Sequence, residues 1–188
     1  MVVEEIFTEL KAHMLEGMVF HDQMARYYDF LNLKGYKRCH EYRYFEETLG
    51  YRRLCRYFMN HYHTFIPYAE MKDPKAIPDN WYRYTRQEVD NGTKRSAIKT
   101  GIERWVSWEK ETKHLYQEMY HELMNIGEIA AAQKIGCYVC DVDCELKQAE
   151  RKHLDLEAIG YDLTTIVLEQ PELHEKYREK LEHLELTM

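Results

Sequence analysis

Residues 105–153 read WVSWEKETKHLYQEMYHELMNIGEIAAAQKIGCYVCDVDCELKQAERKH, and their periodicity decides the fold. Trp105, Trp108, Thr112, Leu115, Met119, Leu123 and Ile126 recur at steps of three and four, which gathers them on one stripe of a helix. Glu109 lies on the edge of that stripe, beside Trp105 and Tyr116. Beyond Gly127 a second apolar stripe runs through Ala132, Ile135, Val139, Val142, Leu146 and Ala149, and Glu150 and His153 fall within it. Glu128-Ile-Ala-Ala-Ala reads as a fresh helix start, so the turn is expected at Gly127, with Gly136 as the other choice. A carboxylate carried into an apolar face needs a partner. A metal ion is one of the few partners that satisfies several at once.

Upstream, the stripe Val3, Phe7, Leu10, Met14, Met18, His21, Met24, Tyr28 and Leu31 predicts a first helix over 3–31, with His21 inward and Glu16 solvated. Asn32-Leu33-Lys34-Gly35 is the expected turn, the glycine supplying a left-handed cap. A second helix over 36–65 turns Tyr36, Arg43, Glu47, Gly50, Leu54, Tyr57, His61 and Phe65 inward, a face polar for a core. Pro67, Pro74 and Pro78 mark a crossover over 66–92 with a helical patch at 81–89. Thr93 is the expected N-cap of a third helix reaching about 125. The fourth should run from 128 to about 168, where Pro171 stops it, and a short charged helix at 172–186 closes the chain. Two long hairpins joined by a crossover predict an all-α four-helix bundle, one domain spanning 1–188.

Composition narrows the function classes. A net charge of -7 argues against nucleic acid, which wants a basic face. No apolar run is long enough to span a membrane. The start, MVVEEIFTEL, lacks the basic and apolar regions of a signal peptide, and five cysteines fit reduced thiols, so a cytoplasmic protein is expected. No phosphate loop, nucleophile elbow or dinucleotide fingerprint occurs. Glu111-x-x-His114 and Glu118-x-x-His121 lie off the tryptophan stripe and read as a solvated face. Cys137, Cys140 and Cys144 share one side of the fourth helix and read as small buried hydrophobes rather than a thiolate site.

In an antiparallel hairpin, residues equally far from the turn lie at one height. A first turn centred near 34 puts Glu47 level with His21. A second turn at Gly127 puts Glu109 level with Cys144 and its neighbours Asp143 and Glu145. Glu150 and His153 then stand two to three turns away.

Phe45-Glu46-Glu47-Thr48-Leu49-Gly50-Tyr51-Arg52-Arg53-Leu54 resembles the helix-two ligand segment of ferritins. Trp108-Glu109-Lys110-Glu111 resembles their helix-three segment, and Tyr138-Val-Cys-Asp141-Val-Asp143-Cys-Glu145 is similar to the helix-four one. The resemblance extends to the crossover at Ile77-Pro78-Asp79-Asn80-Trp81 and to the terminal helix. It implies a ferritin-like di-iron protein, with Fe(II) oxidised by dioxygen, storage of ferric mineral and assembly into a homo-oligomer. The implied metal ligands are His21, Glu47, Glu109, Asp141, Glu150 and His153, with iron the expected metal and manganese or zinc as alternatives. The pattern departs from the family at two points. Glu47-x-x-Gly50 lacks the imidazole of Glu-x-x-His, and His21 stands where a glutamate is expected, as if the imidazole had crossed the hairpin. Two rivals remain open: a metal-free bundle in which Arg43, Arg52 or Arg53 neutralises the acids, acting as a scaffold, and another di-metal oxidoreductase of the same fold.

Overall fold

The computed structural model describes residues 2–185, and of residue 185 only the backbone. Five α-helices carry the chain: α1 (Val3–Phe30), α2 (Lys34–Tyr62), α3 (Asn91–Asn125), α4 (Ile129–Ala158) and α5 (Leu163–Glu185). The crossover holds two 3-10 turns, Asp79–Arg83 and Arg86–Glu88, and no strand occurs among the described residues. α1 pairs with α2, α3 with α4, and α5 packs along α2, giving the expected bundle of two hairpins. No described helix is long and apolar enough to cross a membrane.

The turns depart from expectation in instructive ways. Asn32, at φ 57°, takes the left-handed position between α1 and α2, whereas Gly35 already lies inside α2. The turn therefore centres two residues earlier than expected, which slides the facing helix by about one turn. Gly127, at φ 82°, makes the second turn, so Gly136 is helical. α3 is capped by Asp90, whose carboxylate accepts from Thr93 N, rather than by Thr93 itself.

α4 stops at Ala158 and not near 168. Gly160 and Tyr161 adopt φ 59° and 54°, and Tyr161 N returns to Leu156 O at 2.8 Å, closing a Schellman-type end. Asp162 then caps α5 by accepting from Thr165 N and Oγ1. Pro171 consequently lies within α5 instead of ending α4. The carbonyl it leaves without a helical donor belongs to Val167, a half-exposed residue.

α5 docks through its second turn. Gln170 is buried, and its Oε1 accepts from Gly35 N at 3.0 Å and Tyr36 N at 3.2 Å, two of the unpaired amides that open α2. A Cβ on Gly35 would come within 2.8 Å of Gln170 O and 2.7 Å of Leu173 Cβ. Gly35 is thus small because α5 presses on it.

Two apolar clusters fill the ends of the bundle. One gathers Phe20, Met24, Tyr28, Tyr36, Ile98, Ile102, Trp105 and Leu146 among others; the second gathers Phe7, Leu10, Met14, Leu54, Phe58, Met119, Ile135 and Val142. Each long helix leaves one cluster and enters the other, and between them stands a polar layer: Gly17 and His21, Arg43 and Glu47, Glu109 and Thr112, Glu145. That layer is where function is to be sought.

Replacing Gln170 by Leu should strand two buried amides. We expect a loss of about 2–6 kcal/mol, from ~1–3 kcal/mol per unsatisfied group, measured by urea unfolding, with faster amide exchange at Gly35 and Tyr36.

Candidate functional site

A cavity of about 360 Å³ opens beside the polar layer, lined by His21, Arg43, Glu46, Glu47, Tyr116 and Glu145, with Asp141, Arg53 and Lys180 among its other walls. Space comes from two glycines. A Cβ on Gly17 would lie 3.0 Å from Glu47 Cδ, and one on Gly50 would meet nothing nearer than Met14 Cε at 3.9 Å. Glu47 therefore has a helix backbone at its flank and an open face beyond. Glu109 lies next to the cavity and only 1% exposed, its Oε1 taking the Trp105 Nε1 hydrogen at 2.8 Å and standing 4.0 Å from His21 Nε2.

Arg43 occupies the centre, only 4% exposed. Its Nη1 donates to Glu145 Oε1 at 2.6 Å and Glu46 Oε2 at 2.7 Å, and its Nη2 to Gln148 Oε1 at 2.8 Å. Tyr42 donates to the other oxygen of Glu46. The Arg43 Nε hydrogen is buried without an acceptor.

Burial dominates the titration of this layer. It pushes Glu47 well above the usual carboxylate range, helped by the nearby Glu145 and Glu109 charges and opposed by Arg43. Burial and then Glu145 push Glu109 up to about 8. Glu145 rises to about 7 by burial, against the pull of its Arg43 bridge. The histidines move the other way. Burial drives His21 well below its ordinary value and His40 to about 3, with Arg43 adding to both. Both rings are therefore neutral, joined Nδ1 to Nδ1 at 3.0 Å, so one ring carries its hydrogen on Nδ1. When His21 carries it, His21 Nε2 keeps its lone pair on the Glu109 side.

The expected ligands divide into three groups. His21, Glu47 and Glu109 lie in the polar layer, with His21 beside Glu109. Asp141 is exposed at the cavity wall. Glu150 pairs with Lys110 at 3.2 Å, and His153 bonds the Tyr161 hydroxyl at 2.9 Å, both away from the cavity. They sit on the edge of the α4 stripe, whose buried members are Val142, Leu146, Ala149 and Leu156. Because the first turn comes early, His21 meets His40 across the hairpin instead of Glu47, and Gly17 faces Glu47. Among the described residues, no three His, Cys, Asp or Glu side chains form a chelating group. Cys137, Cys140 and Cys144 are exposed, contrary to the buried role expected, because they lie off the buried face of α4.

Glu145, Glu46 and His40 complete the layer, and none of them stands out as a ligand in the sequence. His40 precedes Arg43 by three and Glu47 by seven, so helical spacing alone could have placed it inward. Glu145 is the residue that the Gly127 turn brings opposite Glu109.

This fold is the ferritin fold. A humanised archaeal ferritin superposes with TM-score 0.72 at 19% identity, covering 91% of this chain and 94% of that one. An open-pore ferritin from the hyperthermophilic archaeon Archaeoglobus fulgidus gives TM-score 0.74 at 16% identity, covering 90% and 93%. A closed form of the Archaeoglobus fulgidus ferritin, made by site-directed mutagenesis, gives 0.72 at 16%, covering 91% and 93%. No protein-family model and no curated protein matches the sequence.

The layer has a pH signature. Glu109 and Glu145 hold protons in the folded chain at pH values where the unfolded chain, near 4.5, has lost them. Their contribution is complete below 4.5 and is lost as pH rises toward 8. His40 and His13, lowered to about 3 and about 4 from 6.5, cost stability only below 6.5. Between pH 6.5 and 8 the carboxyls act alone, so metal-free protein should lose stability with rising pH. Glu109→Gln should flatten that slope in urea unfolding series across the same window.

Proposed function

We propose that the chain is a ferritin-like iron-binding protein that takes Fe(II) as substrate at the Glu47–Glu145–Glu109 layer. One observation carries this reading: Glu47 and Glu145 line a cavity with Glu109 buried beside it, and Arg43 is the only deeply buried cation among the described residues. Carboxylate oxygens with a neutral imidazole suit Fe(II). Binding a cation draws the protons off Glu47 and Glu109, so uptake releases protons and strengthens as pH rises. Glu47 and Glu145 line the cavity together with Glu46, Asp141 and His21, and Glu109 stands behind His21. Oxidation balances with two Fe(II) giving one electron each to dioxygen, which takes two protons and leaves as hydrogen peroxide. Iron storage or homeostasis, within an assembly of several copies of the chain, is the role this chemistry would serve. The glycines at 17 and 50 and the guanidinium at the centre favour fewer metal ligands per chain than a di-iron site requires.

A second reading rests on Arg43 itself. Its bridge to Glu46 and Glu145 is already a neutralised centre, which supports a bundle whose layer is structural and whose role is that of a scaffold.

Aerobic Fe(II) oxidation separates the two. On the iron reading, Glu47→Ala and Glu109→Ala slow oxidation at least tenfold while the parent binds iron in anaerobic titration. Equal rates in parent and variants, with no iron bound, would leave the scaffold. Arg43→Ala should cost about 3–5 kcal/mol in metal-free protein, the scale for breaking a buried ion pair. On the iron reading alone, added Fe(II) restores part of that loss.

A further inference from the structure

Three of the five cysteines stand on the surface of one helix. Cys137, Cys140 and Cys144 are exposed along α4, whereas Cys39 is buried and Cys55 half-buried. Unpaired cysteine is among the residue types most often found inside proteins. Three exposed thiols within 137–144 therefore need a reason other than packing. Spacings of three and four put them in one row. The helix beneath them is fixed, because Tyr138, Val142 and Leu146 bury its opposite face in the two apolar clusters.

Neighbours at these spacings on a helix hold their Cβ atoms about 5–6 Å apart. A disulfide needs ~3.5–4.5 Å between Cβ atoms, so Cys140 closes one with neither neighbour while α4 stays helical. A bridging metal ion makes a longer link. Two metal–sulfur bonds of ~2.3 Å, as for zinc, replace one sulfur–sulfur bond of ~2.0 Å. Cys137 and Cys144 lie two turns apart, ~10 Å along the axis, beyond the span of one ion. Every workable pair therefore includes Cys140. No further ligand joins such a pair: among the described residues, no three His, Cys, Asp or Glu side chains could hold one ion. Asp143, next to Cys144 in the chain, is taken by Lys113 and Lys147. Two thiolates alone leave zinc short of its four ligands, but they satisfy a soft ion such as Cu(I).

We propose that the α4 row binds a soft, two-coordinate cation of the Cu(I) class, held by Cys140 with either Cys137 or Cys144. Cys144 also lines the carboxylate cavity, beside Asp141 and Glu145, so the sulfur site adjoins the oxygen site. Carboxylates suit Fe(II) and thiolates suit Cu(I), and the two kinds of ion are thereby sorted on one helix. The thiol row needs neither iron nor any of the buried acids.

The test is anaerobic titration of the full-length, reduced, metal-free chain with Cu(I), against a chromophoric Cu(I) chelator as competitor. The chain should take one Cu(I), and the bound ion should protect two exposed thiols from alkylation. Serine at these exposed positions leaves the fold intact, which circular dichroism checks. Cys140→Ser should weaken binding about a hundredfold or more, the gain lost with a second tethered ligand. Cys137→Ser and Cys144→Ser should each stay within tenfold of the parent, since Cys140 keeps a partner, and combining them should match Cys140→Ser. Cys140→Ser binding as tightly as the parent would overturn the proposal. So would one ion shared between two chains, or a parent that takes no Cu(I) from the competitor. None of these readouts involves iron, so the outcome stands apart from that for the carboxylate layer.

Discussion

The bridge from Arg43 to Glu145 and Glu46 is the interaction on which the polar layer depends. Without it, acids from α2, α3 and α4 would share a desolvated space with no counter-charge, a cost far above what local packing could offset. The guanidinium suits this place because its planar fork meets three acceptors at once, which an ammonium on a flexible stem could not do as well. The bridge leaves Glu47 and Glu109 outside it, and burial holds both above the ordinary carboxylate range. A cation entering the layer would displace their protons, and that exchange is the physical basis of the iron reading.

Small residues set the geometry around that layer. Gly17 lets α1 come against the Glu47 carboxylate, and Gly50 leaves the space beyond it open. Gly35 lets α5 press onto α2, where Gln170 seals the start of the helix. Because α5 is held along α2, Lys180 reaches the wall of the carboxylate cavity.

The bundle was legible because its stripes are long and repeat at helical spacing over most of the chain. The Gly127 turn followed from the fresh helix start at Glu128, and it put Glu109 level with Cys144 and its neighbours Asp143 and Glu145. What failed were the ends of elements. Asn32 took the left-handed position assigned to Gly35, and the turn centre, two residues early, moved the α1–α2 pairing by about a helical turn. Pro171 looked like a stop, whereas Gly160 and Asp162 supply the actual end and restart. At the site, His21, Glu47 and Glu109 were readable from periodicity. Glu150 and His153 were drawn in by a motif that arises readily on charged helices, and in the fold Lys110 and Tyr161 already hold them. Arg43 was visible as a cation on an inward face, but its choice of partners depends on register, which spacing alone leaves loose by a turn.

The most direct measurement is an iron-edge anomalous difference map from crystals soaked anaerobically with Fe(II). The account predicts a peak inside the cavity between Glu47 and Glu145, with the Arg43 guanidinium turned away from Glu145. A map with no peak there and Arg43 still bridging Glu46 and Glu145 would contradict it.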